Sequence, residues 1–292
     1  FSSRRRHTRY FLASRGLGDV YKRQGDNPPN GVVVPYYFKE KPAGEVTLTF
    51  SDNAGKVIQS FSSEKEASAP PPSYYSRGGG DRKVAAEAGA NRFVWNMRYP
   101  PADVIPDAVF QGSANGPLAP PGTYKVELSV GGQATSQTFE IVRDPRIGYT
   151  DADLKKQFDF LIAVRDELTK TMNVVRKIRE LRGKAEEAVQ KAGGGEKLEE
   201  ALKTLNNKLY PLEERLVQYR ARAGQDLINY PTATDSKLAR LMSFASMADA
   251  PPTQGAQDLF KRLSDGVDER AAALEEVERN EYAELMKLAG SE

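Results

Sequence analysis

Residues 124–161 read YKVELSVGGQATSQTFEIVRDPRIGYTDADLKKQFDFL, and the spacing of the apolar residues changes within this stretch. Before Asp144-Pro145 they alternate with polar residues, from Tyr124 to Val130 and again from Thr138 to Ile141, as in strands with one buried face. After Pro145 they recur three or four residues apart, which is the spacing of one helix face. The sequence therefore predicts a β region over residues 25–145 and an α region over residues 146–292.

Upstream of this stretch, the same alternation predicts four more strands, which lie at 32–38, 46–50, 57–61 and 93–97. About six strands in roughly 120 residues, separated by turn residues, are typical of an antiparallel immunoglobulin-like β-sandwich. Trp95 lies on the same strand face as its apolar neighbours, so we interpret it as the core aromatic residue of this sandwich rather than as a sugar-stacking platform.

Turns and loops separate the strands. Asp52-Asn53-Ala54-Gly55 and Gly131-Gly132 predict two hairpins. Two longer segments, 62–88 and 100–122, are rich in Pro, Ala and Gly, and we expect them to lie on the surface because they carry few large apolar side chains. Pro70-Pro71-Pro72 could form a polyproline ligand, but the pattern favours a flexible loop between strands.

The α region begins at Thr150, which Asp153 follows three residues later, an arrangement typical of a capping box. The apolar spacing predicts a first helix that runs to about Ala192, and Gly193-Gly194-Gly195 ends it. This glycine run lacks the preceding strand, the glycine spacing and the Ser/Thr of a phosphate-binding loop. We therefore interpret it as a connection between two helices.

Three more helices are predicted after the glycines. A leucine seam from Leu198 to Tyr219 predicts the second helix, with a kink near Pro211. A short helix is expected around 237–247, and a last long helix uses apolar residues from Phe260 to Leu285. Three long helices and one short one predict an antiparallel three-helix bundle. The alternative is an extended dimeric coiled coil, which the flexible glycine connection disfavours.

The first 24 residues differ from the rest of the chain. Residues 14–24, SRGLGDVYKRQ, resemble the in-frame translation of a tagmentation sequencing adapter, so we interpret residues 1–24 as adapter read-through that is not native. Native sequence is then expected to begin near Gly25, within a longer protein. Removing seven of 42 basic and one of 40 acidic residues leaves 35 and 39, so the net charge changes from +2 to −4. The charge therefore gives no support for a nucleic-acid partner.

The side chains that remain exclude several classes of enzyme. The single histidine is His7 and there is no cysteine, so residues 25–292 cannot supply an imidazole or thiolate zinc site, or a nucleophile paired with histidine. No apolar run reaches the about 18 residues that a membrane-spanning helix needs. We therefore predict no catalytic, cofactor-binding or metal-binding residue.

Four pairs of adjacent acidic residues are candidates for catalytic carboxylates. A glycosidase needs two carboxylates that face each other across a cleft, whereas neighbouring residues of a helix point about 100° apart. These acidic pairs flank the leucine seams, so we interpret them as solvated helix surface. The pairs are Glu186-Glu187, Glu199-Glu200, Glu213-Glu214 and Glu275-Glu276.

Four segments together carry a resemblance to a known family. Residues 26–42 contain DNPPNG and YYFKEKP, residues 89–100 read GANRFVWNMRYP, residues 119–124 read APPGTY, and residues 142–146 read VRDPR. In this order they resemble the C-terminal region of large bacterial sortilin-like proteins, which are often labelled glycosyl hydrolases with BNR repeats. The resemblance covers residues 25–292. Its Pro-Gly-Thr-Tyr element is also similar to the flagellar hook-capping type of immunoglobulin-like domain.

The resemblance implies a domain partner and a location. In that family one or two β-propellers precede this region, so the propeller is the expected partner and would hold any catalytic or ligand-binding surface. The propeller box Ser-x-Asp-x-Gly-x-x-Trp does not occur in this chain, and no active-site residue, cofactor or metal ligand of the family can be assigned to it. The resemblance also implies export to the periplasm, the cell surface or the medium.

Three functions follow from these observations. The favoured one is a non-catalytic structural or interaction region of an exported propeller protein. The second is a carbohydrate-binding module that uses Tyr36, Tyr74, Tyr75 or Trp95, because aromatic faces can stack on sugar rings. The third is an accessory region that adjusts the specificity of a glycosidase whose active site lies upstream. A dimer formed through the leucine seams is a further possibility.

Overall fold

The structure, a computed structural model, describes residues 29–65, 81–106 and 108–290. Two antiparallel sheets with six strands precede the helices in these residues, which confirms the predicted order of β and then α. The predicted adapter read-through (residues 1–24) and the proline segment with Tyr74 and Tyr75 lie outside the described residues.

All six predicted strands are present in two separate sheets, but the strand predicted at 93–97 lies at Gly89–Trp95 and the one predicted at 138–141 begins at Gln133. The first sheet contains two strands, β1 (Val32–Phe38) and β4 (Gly89–Trp95), which pair along their whole length. The second sheet has the strand order β3-β2-β5-β6. Its strands are β2 (Val46–Asp52), β3 (Val57–Ser62), β5 (Gly122–Val130) and β6 (Gln133–Ile141).

Both predicted hairpins are confirmed. In the β2–β3 turn, the Asp52 carboxylate accepts hydrogen bonds from the backbone N–H groups of Ala54 (3.0 Å) and Lys56 (2.9 Å). The β5–β6 turn consists of Gly131 (φ 55°) and Gly132 (φ 83°). A two-residue hairpin turn of this kind needs positive φ at both positions, which glycine adopts without a steric penalty.

The core of the β region lies between the two sheets. Leu48, Phe50, Phe93 and Trp95 are fully buried there, and the rings of Phe50 and Trp95 stack at 4.6 Å. The prediction that Trp95 is a core aromatic residue is therefore confirmed. Its indole nitrogen is buried and has no hydrogen-bond partner among the described residues, so the tryptophan contributes through packing.

Helix α1 (Asp151–Lys191) begins and ends as the sequence predicts. The Thr150 side chain accepts a hydrogen bond from the Asp153 backbone N–H at 3.2 Å, and Asp153 accepts one from the Thr150 backbone N–H at 3.3 Å, which completes the capping box. Gly193, Gly194 and Gly195 all have positive φ and connect α1 to the next helix. The glycine run is thus a helix–helix connection.

Helix α2 (Glu196–Leu216) continues through Pro211 for more than one further turn. A 3₁₀ turn (Gly224–Ile228) precedes the short helix α3 (Thr234–Ala245). The last long helix consists of α4 (Gln254–Val277), a π-helical turn at Glu278–Tyr282 and α5 (Ala283–Ala289), which follow one another without a break.

The ion pairs between the helices give their relative directions. Arg182, late in α1, contacts Glu213 near the end of α2, so α2 runs back along α1. The Gln157 amide donates to the Ala245 carbonyl at 2.6 Å, which places the end of α3 beside the beginning of α1. Helices α2 and α3 therefore both run antiparallel to α1. Helix α2 packs beside the C-terminal part of α1, and α3 ends beside its N-terminal part.

Helix α4 runs parallel to α1. Lys170 pairs with Asp268, and Lys177 pairs with Glu278 at 2.6 Å, so residue numbers rise together along both helices. Four of the six leucines of the α2 seam are buried within this single chain and the other two are partly buried against the same core, which favours the bundle over the extended dimeric coiled coil. The four buried leucines are Leu198, Leu205, Leu209 and Leu216.

The prediction that the segment 100–122 lies on the surface is wrong. It has little regular structure, but it does not lie loosely on the surface: Ala102, Ile105 and Ala114 belong to the buried core of the helices. We call residues 100–121 the junction loop, because it leaves the β region after β4, packs on α1 and α3, and returns to β5. Its small residues allow close backbone packing, and its composition alone therefore underestimates its burial.

The described part of the segment 62–88 is also partly buried. Val84 is 2 % exposed, and its backbone N–H donates to the Ser62 carbonyl at 3.0 Å. The Asp81 carboxylate accepts a hydrogen bond from the Val94 backbone N–H at 2.7 Å, so residues 81–84 follow the outer side of β4. The surface expectation fails here because Val84 inserts into the core of the β region.

Candidate functional site

The junction loop forms the main contact between the strands and the helices. The Ser113 backbone N–H donates to the Ala239 carbonyl of α3 at 3.1 Å, and the Gln111 backbone N–H donates to the Ser236 hydroxyl at 3.2 Å. Both bonds attach the loop to the buried side of α3, where Ser236 and Ala239 are at most 2 % exposed. The second bond joins the loop to a helix that lies far from it in sequence, since Gln111 and Ser236 are 125 positions apart.

Helix α1 holds the first part of the junction loop through two arginines. The Arg165 guanidinium donates to the Pro100 carbonyl at 3.2 Å. The Arg176 guanidinium donates to the Asp103 carboxylate at 2.6 Å and to the Val104 carbonyl at 3.0 Å. Charged donors make stronger hydrogen bonds than neutral ones, so these contacts fix the path of the loop along α1.

Two glycines let the junction loop approach other backbone segments closely. A Cβ atom at Gly112 would lie 2.3 Å from the carbonyl carbon of Ala239, and a Cβ atom at Gly116 would lie 1.8 Å from the Tyr99 carbonyl oxygen. Contacts this short do not occur between a real Cβ atom and backbone. The loop conformation consequently depends on the absence of a side chain at both positions.

A cavity of about 230 Å³ lies where the junction loop meets the helices. One side is apolar and comes from the loop, with Ile105 and Val109. The other side carries polar groups from α1, from the segment after α2 and from the start of α3. The polar lining residues are Arg179, Gln218, Tyr219, Arg222 and Asp235.

Asp235 is the titratable group of the cavity whose environment is most unusual. It lies in the first turn of α3, it is 1 % exposed, and burial raises the pKa of its carboxyl group to about 7. Hydrogen bonds from Ser236, including the backbone N–H at 2.5 Å, favour the carboxylate and partly oppose this rise in pKa. A carboxyl group with a pKa near 7 can exchange a proton at neutral pH.

The cavity does not have the arrangement that acid–base hydrolysis needs. Asp235 is the one acidic residue among its described lining residues, and no serine, threonine or lysine is present there as a nucleophile. A glycosidase would need a second carboxylate at about 5–10 Å from the first. The cavity therefore supplies a single proton-exchanging group rather than a pair.

One member of the predicted acidic pairs is not at the surface. Glu213 is 1 % exposed, and its carboxylate accepts hydrogen bonds from Arg179 Nε at 2.7 Å and Arg182 Nη1 at 2.9 Å. The Arg182 guanidinium also lies over the Tyr210 ring, 4.8 Å from its centroid. The surface interpretation of Glu213 is thus wrong, because α2 turns this residue toward α1, where two cations neutralise it.

The other seven members of the acidic pairs are exposed, as predicted. Glu214, next to Glu213, pairs with Arg220 at 3.2 Å, and Glu187 pairs with Lys191 at 2.6 Å one turn later. Exposed pairs of this kind contribute little to stability. They give no sign of catalytic carboxylates.

The aromatic residues proposed for sugar binding are not brought together. Trp95 is fully buried, and the Tyr36 hydroxyl donates to the Ala85 carbonyl at 2.7 Å, while Tyr74 and Tyr75 lie outside the described residues. Tyr37, on the opposite face of β1 from Tyr36, is 70 % exposed. A single exposed ring offers one stacking surface and no groove.

Sequence reasoning missed Asp235 and Glu213 for the same reason. An acidic residue in the first turn of a helix is typical of a dipole-stabilising surface residue, and Glu213 is followed by a second, exposed glutamate. No local signal separates either residue from its solvated neighbours. Each becomes buried only because a distant segment covers it.

The chain was also compared with known proteins. No protein-family model, curated protein or solved structure gives a significant match. Within the described ranges, no helix is long and apolar enough to cross a membrane, and no group of three or more acidic residues is placed to hold a metal ion.

Proposed function

We propose that this chain is a non-catalytic structural and interaction region of a larger exported protein, whose sortilin-like β-propeller would precede it. In this proposal the β region is an immunoglobulin-like sandwich and the helices are a three-helix bundle that the sandwich holds in a fixed orientation. The propeller and the export are expectations from the family resemblance described above.

The junction loop is the observation that carries this proposal. It buries Ala102, Ile105 and Ala114 in the helical core and is bonded to both α1 and α3. A flexible tether between two independent binding domains would need no such packing, since inter-domain segments are usually exposed and polar. The packing instead suits a unit that transmits a fixed geometry from the strands to the helices.

Two features support the immunoglobulin-like interpretation of the strands. A buried tryptophan, Trp95, packs between the sheets, and the Tyr124 hydroxyl donates to the Pro120 carbonyl four residues upstream at 2.7 Å. A tyrosine hydroxyl bonded to backbone shortly before it is similar to the tyrosine corner of immunoglobulin-like domains. Burial and the nearby Tyr99 and Asp52 hold the pKa of this hydroxyl above its usual range, so it remains a hydrogen-bond donor.

Hydrolysis assays test the absence of catalysis. The purified chain is incubated with aryl glycosides and with peptides, and its rate is compared with that of a mock preparation. We expect no difference, because Asp235 has no second carboxylate beside it among the described residues that line the cavity. A rate well above the mock preparation that Asp235→Asn abolishes would show that the cavity is an active site and would contradict the proposal.

Carbohydrate binding is the main rival and needs a separate measurement. Binding of a polysaccharide through exposed aromatic rings would change the intrinsic fluorescence or retard the protein in affinity electrophoresis. We expect neither effect in the presence of soluble glucans, xylans or chitin oligomers. Retardation that Tyr37→Ala removes would favour the carbohydrate-binding module instead.

A further inference from the structure

Strand β6 forms one edge of the four-stranded sheet, and no described strand pairs with its outer side. Seven of its nine residues are exposed, and only Phe139 and Ile141 are partly covered. The adjoining side chains of β5 on the inner face are also incompletely covered. These are Val126, Leu128 and Val130.

The register of the β5–β6 hairpin shows which backbone groups of β6 point away from β5. The two-residue turn is closed by Val130 and Gln133, and hydrogen-bonded pairs then alternate with non-bonded pairs along the ladder. Residues 133, 135, 137, 139 and 141 consequently direct their backbone N–H and C=O groups toward β5. Residues 134, 136, 138 and 140 direct theirs toward the open edge.

Two other outer strands carry features that hinder pairing with another chain, whereas β6 lacks them from Gln133 to Phe139. Strand β1 contains Pro35, which cannot donate a hydrogen bond, and β3 has six residues and pairs with β2 across a register shift. In β6 the residues from Gln133 to Phe139 include no proline and no charge. Native edge strands are usually protected by charges, prolines, bulges or short length.

We propose that β6 pairs with β6 of a second copy of this chain, forming a two-fold symmetric dimer with a continuous eight-stranded sheet. The symmetry axis passes through Ser136, so that Ser136 faces Ser136 of the second copy and Ala134 faces Thr138. In this register every edge-directed backbone group near the axis meets an edge-directed group. Three such pairs exchange about six hydrogen bonds.

The side chains of β6 are compatible with this self-pairing. Small uncharged residues meet on the outer face, where like charges directly opposite each other would be destabilising. Glu140 is the one charged residue of the strand, and the register places it opposite the turn glycine Gly132 of the second copy, away from its own counterpart. The contact is isologous and closed, as expected for a two-fold dimer. This inference is independent of the proposed structural role.

Sedimentation velocity and light scattering on the 292-residue chain test the dimer. Because an edge contact is small, we expect a reversible monomer–dimer equilibrium whose dimer fraction rises between about 5 and 500 µM. The variant Ser136→Pro removes an N–H that points away from β5, so it should be monomeric while the hairpin remains intact. Ser136→Thr keeps the N–H and is the matched control, expected to dimerise as the parent chain does.

A charge-swap experiment distinguishes direct pairing from an indirect effect. Ser136→Lys places two lysines opposite each other across the axis, and Ser136→Glu places two glutamates there. Each variant alone should be monomeric, and an equal mixture of the two should dimerise again. Trp95 fluorescence and far-UV circular dichroism confirm that every variant is folded.

Three outcomes would overturn the proposal. The parent chain could remain monomeric up to about 500 µM, the Ser136→Pro variant could dimerise as strongly as the parent, or the mixed charge variants could fail to associate. Each of them excludes β6 as the self-pairing edge. Failure of the dimer proposal leaves the structural role untouched, since the hydrolysis and polysaccharide-binding assays report on that role separately.

Discussion

A single methyl group at Gly112 should release the junction loop from the helices. Gly112 has a φ of +122°, and an added Cβ atom would lie 2.3 Å from the carbonyl carbon and 2.5 Å from the carbonyl oxygen of Ala239. These are backbone atoms of α3, which cannot move without breaking the helix. In Gly112→Ala the loop must therefore move instead.

The size of the effect follows from what the loop loses. A non-glycine residue in such a backbone conformation costs about 1–3 kcal/mol. Moving the loop also breaks the hydrogen bonds from Ser113 to Ala239 and from Gln111 to Ser236, each of which contributes about 1 kcal/mol. With partial exposure of Ala114, we expect the free energy of unfolding of the helical region to fall by about 4 kcal/mol.

Two probes report on the two regions separately. Trp95 is the only tryptophan and lies in the core of the strands, so its fluorescence follows the unfolding of the β region. Circular dichroism at 222 nm follows the helices. In the parent chain we expect the two probes to give coincident urea transitions, because the docked loop couples the regions.

In Gly112→Ala the circular dichroism transition should move to lower urea and separate from the fluorescence transition. Gly148→Ala is the matched control: Gly148 also lies between the regions, but an added Cβ atom there meets nothing within 4 Å. We expect this control to unfold as the parent chain does. Coincident transitions in Gly112→Ala, at the midpoint of the control, would refute the coupling through the junction loop.

Three further predictions concern single side chains. Burial raises the pKa of Asp235 to about 7 in the folded protein. Between about pH 4 and 7 this carboxyl group therefore binds more protons in the folded protein than in the unfolded chain. The free energy of unfolding should consequently fall as the pH rises through this window. Asp235→Asn should therefore gain about 2 kcal/mol more in free energy of unfolding at pH 8 than at pH 5, measured by urea denaturation relative to the parent chain. An equal change at the two pH values would contradict this. Glu213→Ala leaves two arginines facing each other and should cost about 3 kcal/mol by chemical denaturation, against less than about 1 kcal/mol for the exposed Glu214→Ala; equal costs would show that the buried contact is unimportant. Thr150→Ala removes the capping hydroxyl of α1 and should cost about 1 kcal/mol in thermal unfolding, which Thr150→Ser should largely restore; loss in both variants would point to packing instead of capping.

Much of the fold could be predicted because its signals are local. Six strands of six to nine residues follow from local alternation, and the start of α1 follows from Thr150 and Asp153 alone. The C-terminal end of α1 and the two hairpins follow from glycines that adopt positive φ. In each case the residues that decide the structure lie within a few positions of one another.

The direction and order of the helices were predicted less completely. The bundle was expected to contain three long helices and one short helix, which matches the described elements. The sequence did not indicate that α2 and α3 share one side of α1 in succession. That arrangement depends on contacts such as those of Gln157 with Ala245 and of Arg182 with Glu213, which join residues more than 30 positions apart.

The sequence by itself determined the order of strands and helices, the turns of the two hairpins and the start of α1, because periodicity and capping act between near neighbours. Only the tertiary structure decided that the junction loop is buried, that Glu213 is held by two arginines and that Asp235 has a raised pKa. These properties arise when a distant segment excludes water from a side chain. Burial and the loss of solvation depend on which distant segments pack together. The local spacing of residues does not indicate which segment will cover a given side chain.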